Sequence, residues 1–124
     1  MHGQTERGDA ITRWETQLRK GTLELAILAC LSGGRLYGLE LVRELGRDSG
    51  LVVPEGTVYP LLARLHAEGW VTAEWVEADA GHPRKYYRLS TAGRRHLRSL
   101  ATSWSRLATA LERLLVPLRE EEKE

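Results

Sequence analysis

Thr57, Tyr59 and Arg64 fall within one short stretch of the chain, and Arg84 and Lys85 follow on the far side of a turn-rich segment. A hydroxyl and a phenol both donate and accept hydrogen bonds, while guanidinium and ammonium groups bind phosphate oxygens. On an exposed helix followed by a hairpin, such groups suit duplex DNA: one element enters a major groove and the other reaches the neighbouring backbone.

Particular elements must carry these residues. Residues 54–69 read PEGTVYPLLARLHAEG. Val58, Leu61, Leu62 and Leu65 recur at i, i+3, i+4 and i+7, which predicts an amphipathic helix with those four side chains inward. Thr57, Pro60 and Arg64 share the other face, with Tyr59 beside it, and Gly69 stops the helix. An interior proline is tolerated only near a helix start, so the helix begins near Glu55 to Thr57. That puts Thr57 and Tyr59 at the end that points into a groove. VTAEWVE and RKYYRL then read as strands joined by a turn at Asp79, Ala80, Gly81, His82 and Pro83. A helix followed at once by a hairpin with a basic return strand is the reading head of a winged helix.

Charge patterning agrees. The net charge of the 124 residues is only +1, yet residues 82–111 hold seven of the 18 Arg and Lys and no Asp or Glu, leaving 11 bases against all 17 acids elsewhere. The positive block therefore lies on the wing and the helix after it. The balance of 42% hydrophobic and 28% charged residues is that of a globular domain. The longest apolar run, residues 25–31, falls far short of the roughly 20 residues of a membrane span. The polar N-terminus is no signal peptide, so the expected location is the cytoplasm. Cys30, the one cysteine, rules out an internal disulfide and reads as a buried small hydrophobe.

The expected fold class is α+β, mainly α. Asp9 caps a helix over residues 10–20, on which Ile11, Trp14 and Leu18 form a narrow stripe that another subunit would cover. Thr22 caps a second helix over residues 23–31, apolar on all sides and so central. Ser32, Gly33 and Gly34 stop it. A third helix runs over residues 37–48, with Leu39, Val42 and Leu45 inward, and ends at Ser49 and Gly50. Ser90 or Thr91 caps the last helix, which ends near Val116, where Pro117 interferes. Along it Leu97, Leu100, Trp104, Leu107, Leu111, Leu114 and Leu118 alternate in steps of three and four, an a/d seam whose expected partner is a second copy of the chain. Packing back on its own domain is the alternative. The implied division is a tail and helix over 1–21, a winged helix-turn-helix DNA-binding domain over 22–90, a dimerisation helix over 91–118 and a disordered acidic tail over 119–124.

GTLELAILACL, YGLELVREL, PEGTVYPLLARLHAEGWV and above all RKYYRLSTAG resemble the PadR family of transcriptional regulators, over about residues 19–116. The single helix after the wing is similar to the short branch of that family. The resemblance implies a homodimeric winged-helix repressor that binds pseudo-palindromic operators and is released by a small molecule. On matching positions it implies that Tyr37, Thr57, Tyr59 and Arg64 contact DNA from the helix-turn-helix, and Lys85 from the wing with Arg84 beside it. Where the family's wing often runs in glycines and arginines, this one has Gly81, His82 and Pro83, so His82 takes one basic position. SWSR, residues 103–106, resembles the segment of multidrug-sensing members that places a tryptophan in a pore between subunits. That residue is Trp104, with Leu100 on the same helix and Leu23 lining the same space. The acidic residue that holds cationic drugs in those members is Ala108 here, which removes that reason to expect a cation. Trp104 as ligand contact and Trp104 as core residue of the seam both stay open.

No cofactor or metal is expected, and no P-loop, GxGxxG, GxSxG or HExxH motif is present, which argues against an enzyme. His66, His82 and His96 read as surface residues. The expected partners are an operator duplex, a second copy and a small aromatic or hydrophobic effector, with no membrane. The competing reading is a winged helix that binds only other proteins, without ligand control.

Overall fold

In the computed structural model the described residues are 2–47, 53–77 and 81–123, with side chains from residue 7 onward. Seven elements follow one another: α1 (His2–Leu31), β1 (Leu36–Tyr37), α2 (Gly38–Gly46), α3 (Glu55–Ala67), β2 (Val71–Glu77), β3 (Pro83–Leu89) and α4 (Thr91–Lys123). The architecture is the expected mainly helical winged helix. Leu23, Ile27, Leu28 and Leu31 of α1, Leu41 and Leu45 of α2, and Val58, Leu62 and Leu65 of α3 close one core with Val71, Tyr87 and Leu89 of the sheet. Cys30 is only partly buried, packed at the edge of this core and not within it, and burial, then Glu44, pushes its thiol up.

Several sequence expectations change. The two N-terminal helices are one: α1 runs through Asp9, Gly21 and Thr22 without a break. Neither Asp9 nor Thr22 is a cap. The Thr22 hydroxyl donates back to the Leu18 carbonyl at 2.8 Å, a bond made inside a helix. Gly21 costs about 1 kcal/mol relative to alanine but does not stop a helix anchored by its second half. Likewise α4 passes through Pro117 and the acidic run to Lys123, so the last helix does not end at Val116 and residues 119–123 are helical. Arg119 stabilises that end by pairing with Glu112 at 3.0 Å. Tyr37 is not helical: it caps α2 and, with Leu36, makes a two-residue strand too short to announce itself by alternation. The Ser49–Gly50 stop, Asp48, and Asp79 and Ala80 of the turn lie outside the described residues.

Other expectations hold. Helix α3 starts at Glu55, which leaves Pro60 in its second turn. Gly69 has φ +83, and the Gly69 and Trp70 amides donate to the His66 and Leu65 carbonyls, so α3 closes with a Schellman turn. The sheet order is β1-β3-β2, antiparallel throughout, with Val71 opposite Leu89 and Glu77 opposite Pro83.

The start of α4 is stitched to the end of α3. The Ser90 hydroxyl accepts from the Gly93 amide at 2.8 Å and donates to the Gly69 carbonyl at 2.6 Å, while the Ser90 amide donates to the Trp70 carbonyl at 3.1 Å. Gly93 lies directly against that Trp70 carbonyl, so a Cβ there would collide with backbone that cannot yield. Gly93→Ala is therefore expected to destabilise the fold by at least about 1–3 kcal/mol in urea unfolding. Gly8→Ala, where a Cβ meets open space on a helix, should instead gain about 0.5–1 kcal/mol. Equal effects from the two substitutions would show that the joint is not tight.

Candidate nucleic-acid interface

Backbone direction sorts the expected contact residues into three groups. On β3, alternation sends Tyr87 and Leu89 to the core and leaves Lys85 on the same side, while Arg84, Tyr86 and Arg88 face the other way. Lys85 and Arg84, adjacent in sequence, thus serve opposite faces of the wing.

On the core side the Lys85 ammonium lies 5.8 Å from the centre of the Trp75 ring and 5.7 Å from that of Tyr87. Tyr59 belongs to this side. Its ring rests on Gly38 at the start of α2, where a Cβ would strike the phenol, yet it stays 41% exposed. Burial, then Glu55 and Tyr87, push its hydroxyl up, so it remains a neutral donor and acceptor. Thr57 is exposed in the first turn of the same helix.

On the opposite side the Arg84 guanidinium stacks over Tyr37 at 4.6 Å, and Tyr37 meets Tyr86 edge-on at 5.5 Å. Arg35 covers Tyr86 at 4.5 Å and bonds Glu74 at 2.7 Å, with Arg88 at 3.7 Å from the same carboxylate. Arg35 and Glu74 carry no sequence signal for this, because they meet only through the β1–β3–β2 pairing. His82 is exposed beside Gly81, whose φ of +75 shapes the turn.

Arg64 stands apart from both groups. It bonds Glu68 at 2.7 Å and reaches Glu24 of α1 at 3.6 Å. Glu68 also accepts from the Trp70 indole at 2.8 Å, and Trp70 stacks on His96 at 4.1 Å. His96 lies 3.8 Å from Glu24, so it is half-buried between helices and not the surface histidine expected. Sequence distance hid that neighbourhood. Rings hold Arg84 and Lys85, and among the described residues no carboxylate pairs with either, whereas carboxylates hold Arg64 and Arg35.

The expected effector and seam residues separate too. A cleft of about 340 Å³ opens between α1 and α4 and is lined by Leu18, Leu25, Leu100, Trp104 and Leu107 among others. Leu23 is not there: at 3% exposure it belongs to the hydrophobic core and not to the cleft. Ala108 borders a separate, shallower concavity with Glu112. Leu97 and Leu100 pack partly against the chain's own core, so the first turns of the seam are filled from within. Trp104, Leu107, Leu111, Leu114 and Leu118 stay exposed, as does Trp14 on α1. Among the described residues no three His, Cys, Asp or Glu gather to hold a metal, and no helix is long and apolar enough to cross a membrane.

The Arg35 hydrogen bond holds the Glu74 carboxyl below its ordinary value. A depressed carboxylate stabilises the fold above its unfolded pKa of about 4.3 and loses that stabilisation as pH falls through the folded value. An NMR titration should find Glu74 still ionised below pH 4.3, and Arg35→Gln should return it upwards. An unchanged titration in that variant would mean the bond does not form in solution.

A protein-family model for the "Transcriptional regulator PadR-like family" matches residues 27–99. A transcriptional regulator of Mycobacterium tuberculosis is 36% identical over 78 residues, covering 63% of this chain and 71% of that one. The crystal structure of a PadR family regulator from Eggerthella lenta superposes with a TM-score of 0.81 at 34% identity, over 90% of this chain and 96% of that chain. Bacillus subtilis PadR, solved in complex with operator DNA, matches at 26% identity and a TM-score of 0.61, over 64% of this chain and 45% of that one. With the winged helix, the ring-held wing cations and the single helix after them, this chain belongs to the PadR-like family of transcriptional regulators, and is a DNA-binding regulator and not an enzyme.

Proposed function

We propose that the protein is a cytoplasmic homodimeric repressor that binds an inverted-repeat operator and is released by a small hydrophobic or aromatic ligand in the cleft between α1 and α4. The observation that carries this reading is the bare apolar row on the two long helices. Ile11, Trp14 and Leu18 on α1 and Trp104, Leu107, Leu111, Leu114 and Leu118 on α4 are all exposed, Leu114 at 77%. A stable monomer rarely leaves so continuous an apolar surface in water, and a second copy brings the same row. In functional terms residues 22–90 read DNA, and residues 91–118 pair the subunits with help from the first half of α1.

A twofold dimer presents two reading helices, which favours half-sites about one helical turn apart. Thr57 and Tyr59 supply base readout. Tyr37, Arg84, Lys85 and His82 grip the backbone, and Arg64 joins them only from within its carboxylate pairs. Trp104 and Leu100 form one wall of the effector site, with Ala108 beyond its edge. A winged helix used solely for protein contact would have no use for two ring-held wing cations, so that alternative is not favoured.

Charging the row tests the dimer. Leu107→Glu with Leu111→Glu should bury two carboxylates at a penalty of several kcal/mol and give a monomer in sedimentation at micromolar concentration. A variant that stays dimeric places the interface elsewhere.

Readout and grip should also separate. Tyr59→Ala is expected to reduce discrimination between operator and random duplex. Lys85→Ala should weaken both and flatten the salt slope by about 1. Equal losses on both duplexes for both variants would refute this division of labour.

A further inference from the structure

The wall of the α1–α4 cleft is apolar apart from Gln17, Thr22 and Ser103, and among the described residues the one charged group that lines it is Glu24. That carboxylate is shared. A single oxygen, Oε1, faces Arg64 of the reading helix at 3.6 Å and His96 of α4 at 3.8 Å. The Arg64–Glu24 contact is the only ion pair between α1 and α3 among the described residues. We propose that Glu24 is the exchange point between the cleft and the reading helix: an apolar ligand bearing a protonated amine takes Glu24 from Arg64 and so removes the ion pair that ties the outer face of α3 to α1. The inference rests on the effector reading above and adds the ligand's charge and the route of its signal.

Three observations favour the exchange. Arg64 holds Glu68 at 2.7 Å, a full hydrogen bond and nearer than Glu24, so it stays paired after release. Glu24 is half-buried, where a carboxylate interacts more strongly with a cation than on an open surface. The surrounding Leu25, Leu100 and Trp104 offer a hydrocarbon or ring-shaped body its contact area beside the charge. Ala108, outside the cleft, has no bearing on this charge, because the acid comes from α1.

A ligand shifts a two-state element only by its differential affinity for the two states. Here the difference is explicit: the amine binds the arrangement in which Arg64 has let go of Glu24. Three probes that share a naphthylmethyl body separate charge from shape: 1-naphthylmethylamine, 1-naphthalenemethanol and the anion of 1-naphthaleneacetic acid. Calorimetry on the full chain should find the amine bound about fivefold more tightly than the alcohol, the worth of about 1 kcal/mol for an ion pair, and the acetate weakest. The amine alone should move the Arg64 side-chain Nε–H signal in an NMR spectrum. In Glu24→Gln the amine's advantage should vanish, and in Arg64→Gln, where its competitor is gone, it should grow while the alcohol is unaffected. If the amine and alcohol bind equally, or the advantage survives in Glu24→Gln, Glu24 is not the contact. If the amine is preferred but Arg64 neither moves nor competes, the route to the reading helix is wrong. If no probe binds, the cleft is not an effector site and the effector reading falls along with this one.

Discussion

Ser90 sets the relation between the two halves of the molecule. Its hydroxyl caps α4 and in the same position donates to the carbonyl of Gly69, the residue that ends α3. A cap alone stabilises by about 1 kcal/mol. Here it also fixes a direction, since the Trp70 carbonyl and the Cβ-less Gly93 allow the helix to leave the wing along one line. Every feature beyond that point inherits this line: the cleft against α1, the exposed leucine row and the place of Trp104. A helix that left at another angle would carry the same residues to no common surface.

Charge is distributed by the type of partner that holds it. Glu68 and Glu74 hold Arg64 and Arg35 by short hydrogen bonds, and these pairs anchor α3 and the wing. Arg84 and Lys85 lie instead over tyrosine and tryptophan rings. A ring orders a long cation without cancelling its charge, so each face of the wing carries a cation that, among the described residues, no carboxylate holds, in a chain of net charge +1. The same logic makes Glu24 unusual. It is a half-buried acid that faces a guanidinium and an imidazole, each with another neighbour, Glu68 for Arg64 and Trp70 for His96.

Helix α4 divides its labour along its length. Its first turns pack Leu97 and Leu100 onto the core, and its later turns expose Trp104 and the leucines beyond. One seven-residue pattern thus serves an internal contact and then an external surface. Trp104 stands at the changeover, where α1 is near enough to form a wall but too far to fill the space.

Much of the architecture was legible in the chain because short-range rules govern it. The inward face of α3 follows from 3.6-residue spacing, the end of α3 from Gly69, the hairpin from two strands about a Gly-containing turn, and the start of α4 from Ser90. On α2 the spacing points to Leu39, Val42 and Leu45, whereas the core takes Leu41 and Leu45, packs Val42 only at its edge and leaves Leu39 out. The family was legible as well, since its motifs are contiguous. Competition between local and distant preferences was not legible. Thr22 has the chemistry of a cap, yet burial of Leu23, Ile27 and Leu28 in the core carries α1 straight through it. Pro117 has that of a stop, yet α4 continues past it with the turns on both sides exposed. Neighbours set by pairing across the sheet or between helices were equally hidden: Arg35 with Glu74, His96 with Trp70, and Glu24 with Arg64 lie far apart in sequence. The pattern of residue types determines which faces are apolar and which side chains are charged. Which apolar face is filled by the chain itself, and which acid a given arginine meets, depends on distances that exist only once α1 and α4 lie side by side.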